Sequence, residues 1–245
     1  MRNYSLFSLM LVFYFLQLPA FSQNVSDSRF FSKTYNKAVE QYGPDDILVF
    51  GKLYFKLHYK PDGHPFLQNE DFLPGAVYIG NKVYSDVPLL FDIERHIFVI
   101  KAVTQDQSEK LVWLNPNRID SVRLQGRLFI HSAHLPHELP RVGYFEIFGD
   151  DDLKLLIFHT KYYKSVRNIT GDNSVGTYSK RYDVRVLFKD GELHRVTSRR
   201  NFLKAFEQDK RVLRRFMRKN RIRYRNAEAR QLQSLINFCN ETLSQ

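Results

Sequence analysis

The sequence predicts a mainly β domain followed by about three short amphipathic helices, an α+β fold in which the two kinds of structure are segregated along the chain. Three observations carry this reading. Between residues 44 and 196, short apolar or alternating runs are separated by Gly, Asn and Asp turn residues. No long helical pattern intervenes, so the strands must connect antiparallel. From residue 197 the apolar period changes from two to about 3.6 residues. An antiparallel meander, a sandwich and a partly closed barrel all satisfy this pattern.

The chain opens with a segment of a different kind. Arg2 is followed by an apolar run over 6–18, a stop at Pro19 and small residues at Ala20 and Ser22. That order of parts predicts a secretory signal peptide over 1–22, cut before Gln23. The run is shorter than the about 20 apolar residues that span a bilayer. Residues 23–43 are polar with scattered aromatics and form a lead-in ended by Gly43-Pro44.

The β-rich domain over 44–196 then reads element by element. Residues 47–54 form an apolar, aromatic-rich first strand. Residues 76–79 and 82–84 flank Gly80-Asn81, which suits a tight hairpin. Residues 87–92 and 96–103 flank a turn over 92–95. The run 119–125 turns at Gly126 into 127–130. Residues 144–148 and 153–158 are joined by Gly149 and three aspartates. Tyr182, Val184 and Val186 alternate with Arg181, Asp183 and Arg185, and Asp190-Gly191 returns the chain through Leu193 and Val196. Such strands are short for an outer-membrane barrel, which needs about 9–11 residues each.

The helical segment covers 197–245. Thr197 or Ser198 caps a first helix carrying Phe202, Leu203 and Phe206. A second, near 209–220, gathers Val212, Leu213, Phe216 and Met217 on one face and spreads Arg211, Arg214, Arg215 and Arg218 over the others. Asn226 caps a third, along which Leu232, Leu235, Ile236, Cys239 and Leu243 repeat at helical spacing. Cys239 is the only cysteine, so no intramolecular disulfide forms, and its place on the apolar face makes it a small core residue.

The order of motifs also carries a resemblance. Gly63-His64-Pro65-Phe66, Pro74-Gly75, Gly80-Asn81-Lys82-Val83-Tyr84, Asp86-Val87-Pro88-Leu89 and Phe91-Asp92-Ile93 come first. Ile119-Asp120-Ser121, Gly126-Arg127-Leu128-Phe129 and Gly143-Tyr144-Phe145-Glu146 follow, and Arg218-Lys219-Asn220 leads into the last helix. Together they resemble a family of uncharacterised exported proteins of Bacteroidota. The resemblance covers most of the chain after the leader. It implies a Gram-negative periplasm, outer envelope or secreted location, and it brings no activity, cofactor or catalytic residue.

Charge is the most informative remaining feature. The 245 residues carry 37 Lys and Arg against 26 Asp and Glu, a net of +11. Residues 195–230 hold 14 basic side chains against Glu207, Asp209 and Glu228, so one segment owns the whole imbalance. Arg211, Arg214, Arg215, Arg218, Arg221 and Arg223 are its candidate anion-binding residues. In an exported protein the anions at hand are envelope lipids and polymers, and nucleic acid is not an expected partner.

Signs of catalysis are sparse. His131, His134 and His137, beside Glu138, supply enough imidazoles for zinc. Pro136 and Pro140 oppose a helix there, and a solvated connection between strands is the competing explanation. No GxSxG elbow is present, and residues 171–176 lack the lysine of a phosphate-binding loop. His58, His96, His159 and His194 fall in strand patterns without evident partners. The sequence therefore favours an exported, non-enzymatic binding or structural protein without a cofactor, touching anionic envelope components through its basic helices. The rival reading is an exported metal-dependent hydrolase using the His131, His134 and His137 loop.

Overall fold

The structure, a computed structural model, describes residues 52–103, 108–135, 138–149, 152–165 and 176–243. The signal peptide, the lead-in, most of the first expected strand, Asp150-Asp151, His137 and the 171–175 loop lie outside these residues.

Thirteen strands follow in chain order: β1 (Lys52–Leu53), β2 (Leu73–Ile79), β3 (Lys82–Asp92), β4 (Ile97–Val103), β5 (Glu109–Trp113), β6 (Ser121–Leu124), β7 (Arg127–His131), β8 (Tyr144–Phe148), β9 (Leu153–Thr160), β10 (Tyr163–Lys164), β11 (Thr177–Tyr178), β12 (Tyr182–Lys189) and β13 (Glu192–Arg195). Eleven form one antiparallel sheet in the order β1-β5-β4-β3-β2-β6-β7-β8-β9-β12-β13, and β10 and β11 form a separate pair. The sheet is open, with β1 and β13 at its edges, and is not a closed barrel. No helix among the described residues is long and apolar enough to cross a membrane.

The expected mainly β architecture with C-terminal helices is what the chain adopts, with three differences of detail. The runs 82–84 and 87–92 are one strand of 11 residues. The pairing of β2 with β3 shifts register between Gly75 and Val77, and Asp86 takes a left-handed φ of 57° within β3. A bulge bends the strand without ending it, so a local break in alternation looked like an interruption. Gly75 is required there, because a Cβ would lie 2.5 Å from the Arg123 carbonyl oxygen and 2.6 Å from Leu89. The second difference is β5, which the sequence reading omitted. Its charged first residues hide it, yet it pairs along β4 from Val99 opposite Trp113 to Val103 opposite Glu109.

The third difference concerns the last helix. Helices α1 (Arg199–Lys204), α2 (Lys210–Lys219) and α3 (Ala229–Leu243) follow β13. Ser198 caps α1 as expected, its hydroxyl accepting the Asn201 N–H at 3.1 Å. Asn226 does not cap α3. It sits in a 3₁₀ turn, Tyr224–Asn226, fixed by the burial of Tyr224, whose hydroxyl donates to the Val196 carbonyl at 2.8 Å. The helix starts only after Glu228, whose N–H donates to the Gln231 side chain at 3.1 Å, one half of a capping box.

Two faces of the β8-β9-β12 region bury different things. On one, Phe145, Ile147, Leu156, Phe158, Val184 and Val186 pack with Leu135, Leu139 and Leu193. On the other, Phe148, Leu155, Ile157 and Leu187 meet Phe202, Leu203, Leu213, Met217, Leu232, Leu235, Ile236 and Cys239 from the helices. The helices thus share a core with the sheet. Cys239 is fully buried there, and burial pushes its thiol up to about 12. Further along the sheet, the β3-β4 hairpin carries Phe91 and Phe98 onto Phe129 and Tyr144. Phe91 stacks on Phe98 at 4.4 Å, and Tyr144 meets Phe98 edge-on at 4.8 Å. His96, in the turn of that hairpin, stacks on Phe158 at 3.7 Å, and neither of its ring nitrogens has a hydrogen-bond partner among the described residues.

Two outcomes are expected. Leu235→Ala should lower stability by about 2–5 kcal/mol, seen as a fall in the urea midpoint. An unchanged midpoint would detach the helices from the core. His96 gives a pH signature. Burial, with His159 and His131 nearby, lowers it from the ordinary 6.5 to about 3. The unfolded chain takes up a proton below 6.5 that the folded site refuses, so this contribution is present above that pH and is lost on acidification. His96→Asn should reduce the slope of urea midpoint against pH between about 7 and about 5. An equal slope would rule His96 out as its source.

Candidate functional site

Strand pairing assembles a polar constellation on the helix-covered face. Glu146 lies opposite Phe129 and Ile157, Ile157 opposite Arg185, and His159 opposite Asp183. Side chains alternate across a strand, so Glu146, His159, Asp183 and Arg185 share one face with Arg127. Arg127 grips Glu146 with two nitrogens, at 2.5 and 2.7 Å. His159 sits between two carboxylates, with Nε2 2.8 Å from Glu146 and Nδ1 2.7 Å from Asp183. Asp183 also meets Arg181 at 3.1 Å and Arg185 at 3.6 Å. Arg185 in turn donates to the carbonyl of Tyr224 and, at 3.2 Å, to that of Arg225, with its guanidinium 4.9 Å over the Tyr224 ring.

Glu146 and His159 are 2% exposed and Arg185 3%, so these groups interact out of water. Burial alone would raise the Glu146 carboxyl, but hydrogen bonds from Arg127 and His159 outweigh it and hold the group at about 2. Asp183 likewise rests at about 2, burial being overcome by His159, Arg181 and Arg185. Both carboxylates are therefore acceptors, and each His159 nitrogen is engaged by one of them. No nitrogen is left to activate a nucleophile. The arrangement anchors guanidinium groups: three arginines surround two carboxylates, leaving the site net positive.

Two clefts open onto this network. One, of about 370 Å³, is lined by Arg127, Glu146, His159 and Arg230 among others. The other, of about 830 Å³, is lined by Arg195, Thr197, Ser198 and Arg225. They adjoin along Arg181, Asp183, Arg185 and Asn226.

The arginines expected to bind anions are all on the surface. Arg211, Arg214, Arg215 and Arg218 ring the outer sides of α2, and Arg221 and Arg223 follow it; all six are exposed. Leu213 and Met217 face the core, and Phe216 stacks on Phe238 at 4.0 Å. Val212, expected on that apolar face, is 43% exposed. A short helix touches the core along a narrow stripe, and Val212 falls at its border. Arg214 and Arg218 also line a third cleft of about 840 Å³ with Arg199, Arg200, Lys204 and Lys210. Its one carboxylate among the described residues, Glu207, is bound to Lys210 at 3.1 Å.

The histidines near residue 131 have separate partners. His131 closes β7, is buried, and accepts the Ala133 N–H on Nδ1 at 3.3 Å. Burial and the neighbouring His134 lower its affinity for a proton. His134 faces the Pro116 carbonyl at 3.0 Å. His137 is outside the described residues, and among those described no group of three His, Cys, Asp or Glu is placed to hold a metal ion. His64 accepts the Phe66 N–H at 3.2 Å, the turn role its Gly and Pro neighbours predict.

Sequence reasoning missed Glu146, His159, Asp183 and Arg185 as a unit. One signal was available: Glu146 is the only charged residue of the fully buried run Tyr144–Phe148, and such a carboxylate needs a cationic partner.

Removing a partner from this network should be costly. Glu146→Gln should destabilise by about 3–5 kcal/mol, whereas Arg181→Gln, at a half-exposed pair, should cost at most about 1 kcal/mol. Both carboxyls bind protons more weakly in the folded chain than their ordinary 4.5 and 3.8. Their contribution is complete above those values and is lost as pH falls towards about 2. Urea titrations between about pH 5 and about pH 2 should show a loss that Glu146→Gln diminishes. Equal acid profiles would mean that the network carries no net stabilisation.

Comparison with known protein families, curated proteins and solved structures finds no match to this chain.

Proposed function

We propose that this is an exported protein of a Gram-negative envelope that binds anionic envelope components, without catalysis, through the basic surface of its C-terminal helices. One observation supports the reading above others. Arg211, Arg214, Arg215, Arg218, Arg221 and Arg223 are exposed, and none is ion-paired with a carboxylate of the described residues. The arginines that do pair lie at the sheet, where Arg95 meets Asp92, Arg127 meets Glu146 and Arg181 meets Asp183. Six guanidinium groups over one helix and its following turn form a positive surface that takes phosphate or carboxylate groups bidentately. The leader over 1–22 and the resemblance to exported proteins of Bacteroidota point the same way.

Co-sedimentation with vesicles containing anionic lipid tests the reading. Binding is expected at low salt and should weaken steeply as screening shortens to about 8 Å near physiological ionic strength. Replacing Arg214, Arg215 and Arg218 together by Gln should weaken it at least tenfold while leaving the thermal midpoint unchanged. Undiminished binding by this variant, or no binding to vesicles or to anionic polymers at low salt, would make the surface a solubility feature.

A further inference from the structure

The three basic clefts adjoin through shared lining residues, and we propose that together they form a track, a groove for a linear anionic polysaccharide. This rests on the reading of the protein as an anion binder and names the ligand class. The 370 and 830 Å³ clefts share Arg181, Asp183, Arg185 and Asn226, and the 830 and 840 Å³ clefts meet at Asn201. Each lies in the size range of ligand clefts, about 300–1,000 Å³. A flat bilayer surface cannot enter successive concavities, whereas a flexible chain can lie along them.

The charge of the track is lopsided. Among the described residues, twelve Lys and Arg side chains line it against Glu146, Asp183, Glu207 and Glu228. Three of those four carboxylates are already engaged: Glu146 by Arg127 and His159, Asp183 by His159 and Arg181, Glu207 by Lys210. Arg195, Arg225 and Arg230 are exposed along the walls, and none is ion-paired with a carboxylate of the described residues. The floor is rigid, because Arg185 is buried and tied to two backbone carbonyls and to Asp183.

Neutral donors and acceptors separate the charges. Thr197, Ser198, Asn201, Asn226 and Tyr182 line the central cleft, and the Thr197 hydroxyl is buried without a hydrogen-bond partner among the described residues. A lining that mixes guanidinium, hydroxyl and amide groups suits a sugar chain that presents an anionic group on some residues and hydroxyls on the rest. Uronate and phosphodiester groups share the planar or tetrahedral oxyanion chemistry that arginine binds in bidentate fashion.

Titration calorimetry on the full chain with decagalacturonate, trigalacturonate and a phosphomannan decasaccharide tests this. The expected result is binding of at least one decamer, at least tenfold tighter than the trimer. Arg195→Gln with Arg225→Gln should weaken it at least tenfold with an unchanged thermal midpoint. Preference for the uronate or the phosphate decamer identifies the oxyanion. Three results would overturn the groove: decamer and trimer binding alike, undiminished binding by the double variant, or binding to anionic vesicles with none to either decamer. The last leaves the helical surface as an anion binder and removes the polysaccharide. Absence of binding to vesicles and decamers alike removes both.

Discussion

Arg185 joins the sheet to the helices. Its guanidinium leaves β12 among Asp183 and the Tyr224 ring and ends on the carbonyls of Tyr224 and Arg225. Those carbonyls belong to the turn that aims α3. An arginine in this position must be fully engaged, since burying a charge without partners costs many kcal/mol. Asp183 is the partner that makes it tolerable, and Asp183 is itself held by His159, which is held by Glu146, which is held by Arg127. Five polar side chains from four strands thus depend on one another, and the helices inherit their position from Arg185.

That dependence explains why the sheet and the helical segment cannot be treated as separate layers. The apolar part of their junction is ordinary: Leu155, Ile157 and Leu187 against Leu232, Leu235 and Ile236. Hydrophobic contact alone is non-directional and would allow the helices to slide on the sheet. The hydrogen bonds from Arg185 to two successive carbonyls fix one register. The same network leaves the wall of the adjoining clefts positive, so the interaction that orients the helices also shapes the surface available to anions.

Much of the fold was legible because most of its elements are locally consistent. Gly80-Asn81 and Asp190-Gly191 mark the hairpins at which they stand, and Ser198 caps the helix it precedes. The features that escaped depend on partners distant in sequence. The bulge in β3 at Asp86 is defined only against its partner β2, and β5 is a strand chiefly because β4 offers it a ladder. The site was less legible for the same reason. Asp183 and Arg185 alternate with Val184 and Val186, which reads as a strand with one wet face, yet the helices cover that face. Glu146 and His159 are 13 residues apart and meet only because β8 and β9 pair. The surface arginines of α2 were visible in advance, since helical spacing alone places them opposite Leu213 and Met217.

The lone cysteine offers a last consequence. Cys239 sits at the centre of the helix-sheet core with its thiol held protonated to about 12. A thiol in that state is neither a nucleophile nor reachable by reagents, so the native chain is chemically silent at its only sulfhydryl. It awakens only when α3 lifts away. The rate at which a thiol reagent modifies the protein is therefore a clock for one event, the departure of the last helix from the sheet, read without introducing any probe into the molecule.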